Sequence, residues 1–516
     1  MLSLLMIERG RGPGRGARPW CGYLLAAGLA GALLVPSMGQ AGGFTIPIIG
    51  GRMSGQAAFV AHPDDTSAVY HNPAGLVLIE GRLRVDVSGT HVFTNTAYTR
   101  VDYPASGTAT GGPGDFDTSR KPNGPCPAEG AATGYDANGY VLEPCYRPRV
   151  QPKSRYGVLP YGGAAWNPGW KGLKNLAFGL GVYSPQNAQA DFPADGAQRY
   201  EVTSGAITTL YITPAAAWRP HRAIAIGAGV SAIYASAKYK RVMWIPDDMK
   251  ALNNGQDLLA SLDGGAWTAG YTFGAIFFPG ELTPKLGGLE IGMSYVSRAP
   301  LHFGGTISIT GASQKVGETL QDGYVEGQTI KRDATAEFTL PDMVRFGFGY
   351  DFGRRAWAGV DVYWSHYQLY KSLAIRPKES IGPITPDDLV MAKNSHDSWS
   401  VGLGGRYSPR DWLDLRAGLF FDQTPYPNAY YTTLSPDSNK YGFTTGLSLK
   451  PRWLRGGEVS LAYMVLFYED RVVTDSQSRP NFAEVAFAPF SANGQVVGKI
   501  VHLLVTQVSW TLGAKP

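Results

Sequence analysis

Three glycine pairs, Gly179-Leu180-Gly181, Gly227-Ala228-Gly229 and Gly347-Phe348-Gly349, are the first residues of this 516-residue chain whose type and spacing could do chemistry. Glycines so spaced cradle phosphate when a strand delivers them to a helix N-terminus. Here they lie inside alternating apolar runs with no helical pattern after them, and no G-x-x-x-x-G-K-[ST] occurs. Phosphate binding is therefore not expected, and the glycines read as bends or as room for a close neighbour on one strand face. The eight histidines are scattered, none paired with another at metal-ligand spacing. No G-x-S-x-G elbow is present. The chain is expected not to be an enzyme and to hold no cofactor or metal, with a hydrolase whose Ser and His meet across strands as the enzymatic alternative.

Charge narrows the reading further. Arg9, Arg11, Arg15 and Arg18 precede an apolar run from Tyr23 to Pro36 and a Gly39-Gln40-Ala41 triplet. This is the pattern of a secretory signal peptide, residues 1–41, with the cut expected after Ala41. The apolar run is shorter than the ~20 residues that span a bilayer as a helix. The formal charge of +5 loses the net +3 of that segment and becomes +2, so nucleic acid is not an expected partner. In an exported chain, Cys126 and Cys145, set among Pro, Gly and Asn, read as one loop disulfide.

The elements that must position everything else are strands. Val344, Phe346, Phe348 and Tyr350 share one face, while Arg345, Gly347, Gly349 and Asp351 share the other. The same alternation sets Ala356, Ala358, Val360, Val362 and Trp364 against Asp361, and Leu413, Leu415, Ala417, Leu419 and Phe421 against Asp414 and Arg416. About fourteen such strands can be marked by alternation. Several reach the ~9–11 residues that cross a bilayer at a tilt. Short links such as 219–222, 352–355 and 408–411 alternate with long ones such as 98–154, 241–264 and 310–334. An even strand count with one short and one long side is the pattern of an outer-membrane barrel with both termini in the periplasm. A secreted β-sandwich or propeller is the soluble alternative.

Inside such a barrel, Arg345, Asp361, Asp414 and Arg416 would hold a plug or line a wet channel. Met464, Leu466 and Tyr468 suit apolar cargo better than ions. In the link 241–264, Pro246-Asp247-Asp248 predicts the start of a short helix with Leu258, Leu259 and Leu262 on one face.

The stretch 50–76, "GGRMSGQAAFVAHPDDTSAVYHNPAGL", resembles the N-terminal segment of the FadL-like family of outer-membrane transporters for long-chain fatty acids and other hydrophobic compounds. Stretches 340–370 and 412–450 are also similar to that family's pattern. The resemblance implies an all-β, fourteen-stranded transmembrane barrel, residues 81–516, closed by an N-terminal hatch, residues 42–80. It implies a hatch motif of Asn72, Pro73, Ala74 and Gly75 beside the acidic pair Asp64 and Asp65. It further implies capture in a groove of the third and fourth extracellular loops, where Trp244, Leu258, Leu259 and Leu262 are the candidates. A lateral opening is implied near an inward kink of the third strand, where Gly179 and Gly181 stand. A fatty-acid cargo would want a cation near the pocket, and Arg298, Arg345 and Arg416 are the candidates for its carboxylate. The expected partners are a hydrophobic small molecule and the outer-membrane lipid around a monomer, and the expected function is passive uptake. A structural or adhesive surface protein is the alternative from another class.

Overall fold

A computed structural model describes residues 49–513 except 105–116, 118, 129–130, 132, 137–139, 171–174, 245–256, 312–328, 354, 380–388, 435 and 478–492. The expected signal peptide, the first residues of the hatch and Pro246-Asp247-Asp248 lie outside the described residues.

The wall is a single closed antiparallel sheet. Its segments are β1 (Leu83–Asp102), β2 (Cys145–Tyr146), β3 (Tyr156–Trp166), β4 (Leu176–Tyr183), β5 (Asn187–Asp191), β6 (Ser204–His221) and β7 (Ile224–Met243). Then come β8 (Leu258–Phe277), β9 (Leu289–Val296), β10 (Ala299–Thr310), β11 (Thr329–Leu340), β12 (Met343–Asp351), β13 (Ala356–Ser365) and β14 (Ser372–Pro377). The last are β15 (Leu389–Ala392), β16 (Ser398–Arg410), β17 (Leu413–Asp422), β18 (Lys440–Leu449), β19 (Gly457–Tyr468), β20 (Arg471–Val473) and β21 (Gly494–Leu512). Several wall strands are interrupted once, so that β4 with β5, β9 with β10, β11 with β12, β13 with β14 and β15 with β16 each climb the wall as one. The result is a fourteen-stranded barrel closed by β1 against β21, from Leu83 opposite Leu512 to Arg100 opposite Gly494. No helix among the described residues is long and apolar enough to cross a membrane.

Exposed large apolar residues face outward along the strands at membrane level, with none on β10 or β11 beyond the interruptions, which is what a lipid solvent demands. On β8, Trp267 and Phe277 are both exposed and ten residues apart in sequence. At ~3.3 Å per residue and a strand tilt of about 40°, that separates two aromatic girdles by roughly 25 Å, the height of a barrel's apolar band. Segments β5, β10, β11, β14 and β15 all lie beyond the interruptions, on the side of the long links. They extend the barrel past the outer girdle.

The third strand breaks at Ser184-Pro185-Gln186, where three residues oppose only Thr209 and Leu210 of β6. The Thr209 side chain caps the bulge, its hydroxyl donating to Gln186 O at 3.0 Å. Register with the other neighbour ends there as well. β3 pairs with β4 only from Tyr161 to Trp166, and Tyr156–Pro160 pair with β1 alone. Beyond the break, β5 pairs with β6 alone. The wall therefore has a slot between β3 and β5, bridged above by the Lys153 N–H donating to Asp191 O at 2.7 Å.

Gly179 and Gly181 do not sit at this break. They lie one to two turns of pleat below it, where a Cβ on Gly179 would meet Leu76 and Val69 of the hatch at 2.8 and 2.9 Å. The break itself is built by Pro185, which has no N–H for the ladder.

The predicted helix over Leu258, Leu259 and Leu262 is corrected by the structure: all three begin β8. Leu258 is buried, Leu259 faces out and Leu262 lines the lumen, so the first two point to opposite sides of a sheet. Cys126 and Cys145 form the expected disulfide in the link between β1 and β3.

Candidate functional site

Residues 49–80 fill the lumen at the short-link end. They contain the helices α1 (Gly51–Gln56) and α2 (Ala68–His71) and a 3-10 turn, Pro73–Leu78. Asn72 caps that turn with Oδ1, which accepts from Ala74 N at 3.2 Å. Proline at the first position fits because its missing N–H would be unsatisfied there in any case. The same side chain ties the turn to its surroundings, Nδ2 donating to Val60 O at 2.9 Å and to Ala275 O of β8 at 3.1 Å. Gly75 is required by closeness, since a Cβ there would collide with the carbonyl and ring of Pro63. Ala74 is fully buried against Ala225, Ile276 and Phe278 of the wall. The Asn-Pro-Ala-Gly motif is thus a clip between hatch and wall.

The inner face of the wall is cut to receive this segment. A Cβ on Gly227 would lie 2.5 Å from Ala74 N, and one on Gly347 would lie 2.6 Å from Ala61 N. On Gly274 it would strike the Asn72 side chain, and on Gly402 and Gly404 the carbonyls of Ala57 and Gln56. Gly179, Gly181, Gly227 and Gly347 of the Gly-x-Gly pairs belong to this track, which lets the hatch lie directly on the sheet, whereas Gly229 and Gly349 face wall side chains.

Charges complete the seat. Arg345, fully buried, donates to the carbonyls of Tyr70 and His71, with its guanidinium 4.3 Å from the Tyr70 ring centre. Asp361 accepts from Phe59 N at 2.5 Å, Val60 N at 2.9 Å and the Tyr363 hydroxyl at 3.1 Å. Arg52 of α1 pairs with Asp64 and with Glu458 of β19, both at 2.6 Å, and Arg406 of β16 pairs with Asp64 at 2.9 Å. Burial pushes the Asp64 carboxyl up, but Arg52 and Arg406 outweigh it and hold the group well below the usual carboxylate range. Its neighbour Asp65 goes the other way. Burial and then the charge of Asp86 push its pKa up to about 6, although Ser67 donates to it through N and Oγ. Burial and the nearby Arg345 lower His71 to about 3, so it is neutral at physiological pH. The acidic pair is one bound carboxylate and one reluctant one.

Of the cationic candidates, Arg345 thus serves the hatch. Arg416 lies under α1, 3.4 Å from Asp414 and donating to Ser448 Oγ at 2.6 Å. Arg298 is half exposed and lies 3.5 Å from Asp342 at the break between β9 and β10. Trp244 packs with Val242 against Tyr200 near the mouth.

Above the hatch the lumen is apolar. An apolar recess opens among Ile207, Ala237, Leu262, Phe303, Ala336, Phe338, Tyr370 and Leu373. Phe338 and Tyr370 meet edge to face at 4.7 Å. A single cluster of buried apolar residues runs from this space through Ile233, Tyr211 and Tyr183 to Val69, Tyr70 and Leu76 of the hatch. Tyr183 stacks on Tyr211 and meets Tyr70 edge-on, both at 5.4 Å, just below the slot between β3 and β5. Sequence reasoning did not single out Tyr183, Tyr211 or Tyr370. The available signal was tyrosine on the inward phase of strands whose outward phase is also apolar.

The sequence matches the family model described as outer membrane protein transport protein (OMPP1/FadL/TodX) over residues 32–502. The chain belongs to that family. It is 24% identical over 281 residues to a long-chain fatty acid transport protein of Salmonella typhi, covering 50% of this chain and 59% of that one. Among solved structures it resembles a FadL homologue of Pseudomonas aeruginosa, at 17% identity and TM-score 0.67, covering 91% of this chain and 99% of that one. It also resembles the toluene transporter TbuX of Ralstonia pickettii, at 14% identity and TM-score 0.57, covering 91% and 100%. The protein is an outer-membrane transporter of hydrophobic compounds and not an enzyme.

One consequence concerns Asn72. Asn72→Ala removes the cap and both ties, three hydrogen bonds at about 1 kcal/mol each. Uptake of a hydrophobic substrate by cells is expected to slow, while the heat-modifiable gel mobility of the barrel is unchanged. A variant that fails to assemble would make the motif a folding element instead.

Proposed function

We propose that this FadL-family barrel carries out passive uptake of uncharged hydrophobic small molecules of the aromatic-hydrocarbon class. The ligand leaves water at the apolar space above the outer girdle, moves down the continuous apolar cluster and leaves sideways through the slot between β3 and β5. The observation that carries this reading is the continuity of that cluster from Phe338 and Tyr370 to Val69 and Leu76. A ligand following it exchanges one apolar surface for another, so no step requires energy input. The hatch, pressed on Gly179 and Gly181 beside the slot, is the element whose movement would widen the path.

The test is uptake of radiolabelled toluene, an alkane and a long-chain fatty acid by a deletion strain and its complemented parent. Equal uptake of every compound in both strains would sink the proposal. Ligand-independent adhesion lost in the deletion strain with unchanged uptake would favour a surface-display role.

One residue favours a fatty acid as a second cargo. Lys393 follows β15 two residues beyond Met391, which packs on the apolar cluster. Among the described residues no carboxylate forms an ion pair with its ammonium within 4.0 Å, and the buried Glu201 acts on it only from further away. A ligand carboxylate held there would gain a charge-assisted bond of about 1.5–3 kcal/mol. Lys393→Met is therefore expected to cut fatty-acid uptake by roughly tenfold or more and leave toluene uptake as in the parent. Equal effects on both cargoes would remove Lys393 from recognition.

A further inference from the structure

The short-link rim carries a second surface that transport does not use. Four neighbouring chain reversals hold five exposed arginines: Arg355 between β12 and β13, Arg410 at the last position of β16 before β17, Arg452 and Arg455 between β18 and β19, and Arg82 before β1. Main-chain hydrogen bonds stitch these reversals together side by side. Ser408 N donates to Arg355 O at 2.7 Å, Lys450 N to Trp412 O at 2.8 Å, Thr511 N to Gly456 O at 2.7 Å and Arg82 N to Leu512 O at 2.8 Å. The arginines therefore form one arc around about half of the rim.

Two exposed acids lie on the arc, Glu80 and Asp411, yet among the described residues neither forms an ion pair with any of the five. Lys450 turns inward to Asp414 at 2.9 Å and does not contribute. Trp453, 82% exposed, and Trp412 stand on the same reversals, next to the outward-facing Trp510 and Leu512. The long-link side differs. Three of its outward cations are matched by acids, Lys238 with Asp263 at 3.3 Å, Arg332 with Glu379 at 3.3 Å and Lys378 with Asp333 at 3.4 Å, while the exposed Lys240 and Lys331 have no ion pair among the described residues.

We infer that the arc of Arg82, Arg355, Arg410, Arg452 and Arg455 is a binding surface for the phosphate headgroups of anionic phospholipids in the inner leaflet of the outer membrane. Indole rings settle at the headgroup level of a bilayer, so Trp412 and Trp453 place the guanidinium groups among lipid phosphates and not in free solution. Guanidinium offers phosphate two parallel donors. Acids elsewhere would neutralise such a surface, and here they do not. A periplasmic protein with an acidic face would need the arginines clear of the headgroups, which the tryptophans beside them prevent.

The experiment uses the folded full-length barrel in phosphatidylcholine nanodiscs doped with phosphatidylglycerol, and measures which lipid co-purifies after mild detergent extraction. The parent is expected to retain phosphatidylglycerol over phosphatidylcholine. The triple variant Arg410→Gln, Arg452→Gln, Arg455→Gln should lose that preference roughly fivefold per charge, on the order of a hundredfold in all. Lys238→Gln with Lys378→Gln, which removes charge from the other rim, should keep it, and inorganic phosphate at matching concentration should not displace the lipid. If the triple variant does not fold, Arg452→Gln with Arg455→Gln in the longest reversal gives the same reading at two charges. Unchanged retention in the arc variants, equal loss in the control, displacement by free phosphate, or preference for lipopolysaccharide over phosphatidylglycerol would each overturn the assignment.

Discussion

Gly274→Leu is expected to lift the hatch from its seat while the barrel still closes. The residue faces inward on β8, and any Cβ there strikes the Asn72 side chain and comes within 2.9 Å of Pro73 Cδ. The wall cannot yield, because Gly274 is paired in register with Gly227 of β7, itself in contact with Ala74. Overpacking of this kind costs about 1–3 kcal/mol. A second block, Gly402→Val against the Ala57 carbonyl, is far enough away for the costs to add. The undocked population of the double variant should rise by roughly 30-fold or more. Limited proteolysis within residues 49–80 of the folded barrel reads this directly, and leakage of a polar solute into proteoliposomes reads its consequence. Protection equal to the parent would mean that the wall, not the hatch, absorbs the new side chains.

Asp361→Ala should have an effect of similar size by the opposite route, removing a tie and adding no bulk. The carboxylate is fully buried and takes two successive hatch N–H groups and one hydroxyl. Truncation leaves all three donors buried without an acceptor, at about 1–3 kcal/mol each. It also leaves Arg345 without the nearby negative charge. Hydrogen exchange at the Phe59 and Val60 amides should quicken by about a hundredfold or more. Asp361→Asn keeps one acceptor and should restore part of the protection. Exchange that is the same in Asp361→Ala as in the parent would show that the hatch is held without this group.

The fourteen wall strands were legible because their two faces meet different solvents, and a period of two is the direct trace of that difference. Val344, Phe346 and Phe348 against Arg345, Gly347 and Gly349 is readable from eight residues. Where both faces of a strand are out of the lipid, the trace fades. Leu258, Leu259 and Leu262 satisfy a helical stripe as well as a strand, and only pairing with Met243, Val242 and Tyr239 of β7 decides between them. The interruptions around Ser297 and Asp342 were not readable, since the apolar pattern runs through them, and β5 was not readable beyond Ser184-Pro185-Gln186, since that polar stretch reads as the start of a link. For the site, sequence located the hatch motif and the inward charges, but not what each charge holds. Arg345 meets Tyr70 across 275 positions and Asp361 meets Phe59 across 302, and no local pattern encodes such a pairing.

The glycine track also dictates an order of events in biogenesis. The hatch lies on the sheet with no clearance for a Cβ, and it touches both sides of the closing seam. Gly51 N donates to Gln507 of β21 at 2.7 Å, and Thr66 N and Oγ1 donate to Asp86 of β1 at 2.9 and 2.7 Å. The N-terminal segment is therefore expected to be inside when the last strand meets the first, as a mandrel around which the sheet is rolled.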